Sequence, residues 1–241
     1  SGFYSNIGKD RGIDGFFLSR IKEDAVSDIQ FYEVPLEVMK MYQSNRAQKK
    51  MDKKDEVKDL KLRNMTLREI TYDSKGDITI YAEKNYQITS TDPKTGSTSI
   101  KYFYQEIVGV GIDSDGELKW MNKFPKNQTG RSGRGGMGYF LISNETSDYL
   151  LFLDNIKNIE LPLNQFPSEH RDGIGGYLTG FKVNRDTGIP EKISLFDTKD
   201  AKGTELYQFN TERIIKVNEN TFSVECYKKK KEDVMVTIFL E

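Results

Sequence analysis

Asp113, Asp115 and Glu117 alternate around Gly116, and alternating carboxylates beside a glycine are how a calcium loop begins. A hard cation needs several oxygen ligands on a tightly turned backbone. A complete loop also needs further oxygens and a distal bidentate glutamate, and none stands at the required spacing. Asp and Gly are equally what a hairpin turn demands, so a turn is the favoured reading and the three residues are only a weak metal candidate. A second group is Arg131 and Arg134 in the run Gly-Arg-Ser-Gly-Arg-Gly-Gly at 130–136. Glycines let a backbone approach an anion and guanidinium groups hold it, but no Gly-Lys-Ser/Thr follows to make a P-loop. The run reads as a connecting loop able to reach an anionic partner. A third group is Glu169, His170 and Asp172, acid–base residue types within one polar loop, Ser-Glu-His-Arg-Asp-Gly at 168–173. For His170 the plain alternative is a surface side chain.

Counting narrows the chemistry. The chain has one histidine and one cysteine, Cys226, so neither a two-histidine hydrolase nor a His/Cys zinc site is expected. Cys226 lies in the alternating run 221–227, which reads as a buried structural thiol. No catalytic residue, metal or cofactor is assigned. The binding candidates are Arg131, Arg134, Glu169, His170 and Asp172.

The elements that position these residues are strands. Turn signals flanked by alternating apolar residues recur at 73–76, 113–116, 144–147, 184–188 and 218–220, each a hairpin with Asp, Asn or Gly in its turn. With centres at 74, 114, 146, 186 and 219, the steps alternate as 40, 32, 40 and 33, so two hairpins repeat about every 72 residues. Four antiparallel strands per repeat is the blade unit of a β-propeller. The expected fold is therefore all-β, with four-stranded antiparallel blade-like repeats forming a partial or small β-propeller. One domain is expected over 1–241, with residues 36–62 as a charged, helical or disordered insertion. Residues 92–99 read as a plain flexible loop, and the lysine run 228–231 as a solvated hairpin tip. Trp120 and Phe124 are read as packing together in a blade core.

The segment 113–125, a hydrophobic–Asp–x–Asp–Gly–x–hydrophobic–x–Trp pattern followed by Lys-Phe-Pro, resembles repeats of uncharacterised β-propeller-like proteins of Bacteroidetes-type bacteria. The resemblance is close in letters only there, although the hairpin pattern covers most of the chain. It implies the fold and an exported, envelope-associated protein, and no activity. Ser1-Gly2 resembles the remnant of a cleaved tag, so a signal peptide is expected ahead of this sequence in the natural chain. A periplasmic or cell-envelope location is expected, with the cytoplasm as the alternative.

Net charge is −1, which gives no basic excess for nucleic acid. No run of about 18 apolar residues offers a membrane-spanning helix. The expected function is a binding or scaffold module of the bacterial envelope, in which the loops 130–138 and 164–176 recognise a protein or glycan partner. The alternative is a polymer-acting (glycan) hydrolase or lyase using loop carboxylates such as Glu169 and Asp172.

Overall fold

The computed structural model describes residues 1–6, 12–55, 60–131, 136–201, 203–218, 220–228 and 232–239. The chain is mostly β, in antiparallel sheets joined by hairpins. Strands β1 (Gly2–Tyr4), β2 (Gly15–Lys22) and β3 (Ala25–Glu33) form a three-stranded sheet. Helices α1 (Leu36–Lys40) and α2 (Asn45–Asp55) follow. Strands β4 (Met65–Tyr72), β5 (Ile78–Thr91), β6 (Thr98–Ile112) and β7 (Leu118–Phe124) are paired in succession, and β8 (Gln128–Gly130) also pairs with β6. Strands β9 (Phe140–Ser143) and β10 (Ser147–Asp154) precede the two-residue β11 (His170–Arg171), which pairs with β8. Strands β12 (Tyr177–Asn184) and β13 (Pro190–Asp197) complete a four-stranded sheet with β10 and β9. Strands β14 (Gln208–Asn218), β15 (Thr221–Lys228) and β16 (Glu232–Phe239) make the last sheet. Among the described residues no helix is long and apolar enough to cross a membrane.

The turns form for local reasons. Asp73 Oδ1 accepts from the backbone N–H of Lys75 (2.9 Å) and Asp77 (3.0 Å), and Gly76 at φ +86° closes the bend. Asp113 repeats this geometry, accepting from Asp115 N (3.0 Å) and Glu117 N (2.8 Å), with Gly116 at φ +98°. A short side chain that mimics a backbone acceptor, followed by a residue free to adopt positive φ, is the chemistry such turns require. The carboxylate of Asp113 is thus engaged in its own turn. Tyr32 Oη donates to Gly116 O (2.7 Å) and Arg20 Nη2 to Ser114 O (2.6 Å), which ties this turn to the first sheet. Among the described residues, no three His, Cys, Asp or Glu side chains are grouped to hold a metal ion.

The chain divides into two compact units: residues 1–84, 107–123 and 186–188, and residues 85–106, 124–185 and 189–241. In the first, alternation along β6 points Val108, Val110 and Ile112 into a core with Ile80, Phe16 and Val38. The insertion is helical and anchored: Lys123 Nζ donates to Met39 O (2.8 Å) and Met41 O (3.3 Å), satisfying carbonyls at the end of α1. Residues 56–59 lie outside the described ones. Trp120 lies against Gly111 and Gly188, where an added Cβ would come within 2.2 Å and 2.3 Å of its indole. In the second unit, Phe222, Val224 and Cys226 of β15 face a core with Leu151, Leu153 and Ile142. Burial pushes the Cys226 thiol up to about 12, so it is an inert core group. In the second unit Phe124 packs with Phe181, ring centroids 5.9 Å apart.

Two departures from the sequence reading matter for the site. Residues 92–99 are not a plain loop: β5 runs to Thr91, β6 starts at Thr98, and Asp92 caps the turn through Lys94 N (2.7 Å) and Thr95 N (3.2 Å). The polar ends of these strands carry no hydrophobic period because they are exposed on both faces. Among the described residues the sheets also hold three, six, four and three strands, not four throughout.

Candidate functional site

The second unit brings two loops together. β8 runs antiparallel to β6, pairing Tyr102 with Gly130 and Tyr104 with Gln128. β11 then adds to β8 in parallel, pairing His170 with Gln128 and Arg171 with Thr129. His170 N donates to Asn127 O (2.9 Å) and Asp172 N to Thr129 O (2.7 Å). This parallel bridge joins segments about forty residues apart and places Arg131 beside residues 169–172.

Buried polar groups fix the bridge from beneath. Gln128, fully buried, accepts at Oε1 from Lys126 Nζ (3.0 Å) and Gly138 N (2.8 Å), and its Nε2 donates to Leu153 O (2.8 Å). Lys126 Nζ also donates to Tyr104 O (2.9 Å). From the other side, a short helical turn after β10 holds the loop. Asn155 Nδ2 donates to Glu169 O (2.8 Å), and Asn158 exchanges two 2.8 Å bonds with the Ser168 backbone.

Glu169 is the electrostatic centre. Its Oε1 accepts from Thr129 Oγ1 (2.6 Å) and Lys101 Nζ (3.1 Å), and its Oε2 from Arg171 Nε (2.7 Å). The Thr129 and Arg171 hydrogen bonds, then Lys101, pull its carboxyl down to about 2. It is therefore a fixed anion at neutral pH, whereas a general acid works best with a pKa raised towards the working pH. Asp172 Oδ1 accepts from Arg131 N (2.7 Å). His170 is not a surface side chain: it is 4 % exposed, and its Nε2 has no hydrogen-bond partner among the described residues. Burial first, and the Lys126 ammonium second, lower its pKa to about 4, so the ring is neutral. The ring packs on Gly176, where a Cβ would lie 3.0 Å from His170 Cε1 and 2.3 Å from Asp154 O.

Two depressions open around these residues. One, about 400 Å³, is lined by Lys101, Thr129, Gly130, Arg131, Arg171 and Asp172. The other, about 300 Å³, includes Asn155, Ile156, His170, Arg171, Ile174 and Lys199. Arg171 borders both. Of the sequence candidates, Arg131, Glu169, His170 and Asp172 thus come together. Arg134 lies outside the described residues, and Asp113, Asp115 and Glu117 belong to the other unit. Lys101, Thr129 and Arg171 were not singled out from the sequence. Arg171 stands inside the acid–base loop itself and was the one signal within reach. Lys101 becomes visible only once β6 is known to begin at Thr98.

Asp154, at the end of β10 under this loop, is the buried titratable group with the clearest pH consequence. Burial raises its pKa to about 6, against the Asn158 and Asn155 hydrogen bonds and the positive charges of Lys192 and Lys126. A carboxyl whose folded pKa is raised stabilises the fold only while protonated, and that advantage is lost as pH rises from about 4 to about 6. Asp154→Asn keeps an acceptor for Asn158 and cannot ionise. The variant is expected to gain urea midpoint relative to the natural chain at pH 7, and to lose most of that gain at pH 4. An equal difference at both pH values would show that Asp154 does not titrate in this range.

Comparison of the chain with family models, curated proteins and solved structures gave no match.

Proposed function

We propose that the chain is a binding or scaffold module of a bacterial cell envelope. In this reading a β-propeller-like framework presents loops that recognise a protein or glycan partner, at the face built by residues 128–131 and 168–176. The observation that carries it is the convergence of those two loops on open depressions, with Glu169, Lys101 and Asp172 beside them already engaged in hydrogen bonds. Charged groups held by hydrogen bonds before a ligand arrives lose little freedom on binding, which favours recognition. The blade-like framework draws support from two sets of four strands in succession, β4 to β7 and β9, β10, β12 and β13, each built from two hairpins. The compartment draws on the resemblance of residues 113–125 to repeats of exported bacterial proteins. The hydrolase or lyase alternative finds less support, because Glu169 is held as an anion by three donors.

Binding to an envelope fraction of a Bacteroidetes-type bacterium and to a panel of bacterial surface glycans tests this directly. The natural chain is expected to be retained. Arg131→Glu/Arg171→Glu, with an unchanged circular dichroism spectrum, is expected to bind about tenfold or more weakly, because like charge now faces the ligand. Equal retention of the two proteins would remove the face from the account.

A further inference from the structure

The lining of the larger depression narrows the partner to one chemistry. Lys101, Arg131 and Arg171 supply three cations there, and Asp172 and the neighbouring Glu169 supply two anions. Glu169 engages Arg171 only through Nε, so the two Nη groups keep no described partner, and the Arg171 side chain is 78 % exposed. A guanidinium presented in this way is a planar fork that matches a carboxylate with two parallel hydrogen bonds. Asp172, whose Oδ1 is held by Arg131 N, leaves a carboxylate beside these donors to accept from hydroxyl groups. Among the described residues no apolar side chain lines this depression. The adjoining one offers Ile156 and Ile174, 59 % and 38 % exposed, beside Asn155 and Lys199.

Resting on the reading that this face is the recognition surface, we infer that it binds an acidic polysaccharide, with the carboxylate of a uronate unit in the depression of Lys101, Arg131 and Arg171. A polyhydroxylated anion needs donors and acceptors side by side, which is what the lining provides. The next sugar of the chain lays its less polar ring face on Ile156 and Ile174. A protein partner would instead call for an aromatic or aliphatic anchor seated in a desolvated pocket. Among the described residues the larger depression presents no apolar wall for one. Its volume, about 400 Å³, lies within the range of small-ligand sites, about 300–1,000 Å³.

The test is calorimetric titration of the full chain with a mixture of galacturonate, glucuronate and mannuronate oligosaccharides. Three comparisons accompany it: the same oligosaccharides after carboxyl reduction, an Asp/Glu-rich peptide, and a charge-reversed control away from the cleft, Lys49→Glu/Lys50→Glu on α2. Binding of the acidic mixture is expected. A loss of about tenfold or more is expected on carboxyl reduction, and again in Arg131→Ala and in Arg171→Ala, as for removal of a charge-assisted pair. The α2 control is expected to bind as the natural chain does. Equal binding of reduced and acidic sugars, no binding of either, or tighter binding of the peptide would each overturn the inference. So would an equal loss in the α2 control, which would mean non-specific attraction. Failure here is separable from failure of the face itself. If Arg131→Glu/Arg171→Glu still loses the envelope fraction while uronates do not bind, the face stands and the ligand class falls.

Discussion

Asp148→Ala is expected to lower the stability of the second unit by about 3–5 kcal/mol, the range for removing one partner of a buried ion pair. Asp148 sits on β10 and is fully buried. Its Oδ1 accepts from Arg185 Nη1 at 3.1 Å, and the Arg185 side chain is 4 % exposed. Arg185 is held in place independently, because its backbone N–H donates to Thr146 O at 3.0 Å. Truncating the aspartate therefore removes a charged partner from a guanidinium that is itself buried. Asp148→Leu/Arg185→Met, which removes both charges at similar volume, is expected to recover most of the loss, since the pair itself adds little net stability. Urea unfolding of the three proteins separates the cases. A single variant losing less than about 1 kcal/mol would match an exposed pair and contradict this burial.

The second large effect is expected at Gln128. Gln128→Ala removes one acceptor and one donor at once, leaving Gly138 N and Leu153 O without their side-chain partner and depriving Lys126 of one of its acceptors. Each buried group so abandoned costs about 1–3 kcal/mol, and the ammonium lies at the upper end, so a total of about 3 kcal/mol or more is expected. The loss is not confined to stability. β11 has β8 as its strand partner, and Gln128 is the β8 residue opposite His170. Amide exchange at His170 and Asp172 is expected to quicken in the variant more than exchange in β15, which lies in another sheet. Uniform acceleration across both would show that Gln128 supports the unit as a whole and not the cleft in particular.

What could be read from the sequence follows the range of the interactions. The hairpins at 73–76, 113–116 and 144–147 were legible because their turns are self-contained. Asp73, Asp113 and Asn144 each accept from backbone N–H groups within four residues. Composition marked the insertion but left it open between helix and disorder, and its anchor was not legible. Lys123 belongs to the Lys-Phe-Pro-Lys run, and nothing in its neighbours tells that it reaches Met39 across 84 residues. Short β8 and β11 carry no period at all, being three and two residues long. Residue type alone nominated Arg131, Glu169, His170 and Asp172. That they meet depends on the parallel bridge, a non-local pairing that no spacing rule encodes. For the same reason His170 read as a surface group, whereas the bridge and Gly176 bury it. The ion pair of Asp148 and Arg185 spans 37 residues and left no mark in the sequence either.

The central claim is that one face of the second unit, residues 128–131 and 168–176, does the binding. Hydrogen exchange of the full chain, with and without the polysaccharide fraction of a Bacteroidetes-type envelope, locates the contact without altering any residue. Slower exchange is expected at residues 128–131 and 169–176, with the turns at 73–77 and 113–117 unchanged. Protection confined to those turns, or to β1 to β3, would place recognition in the first unit and contradict the account.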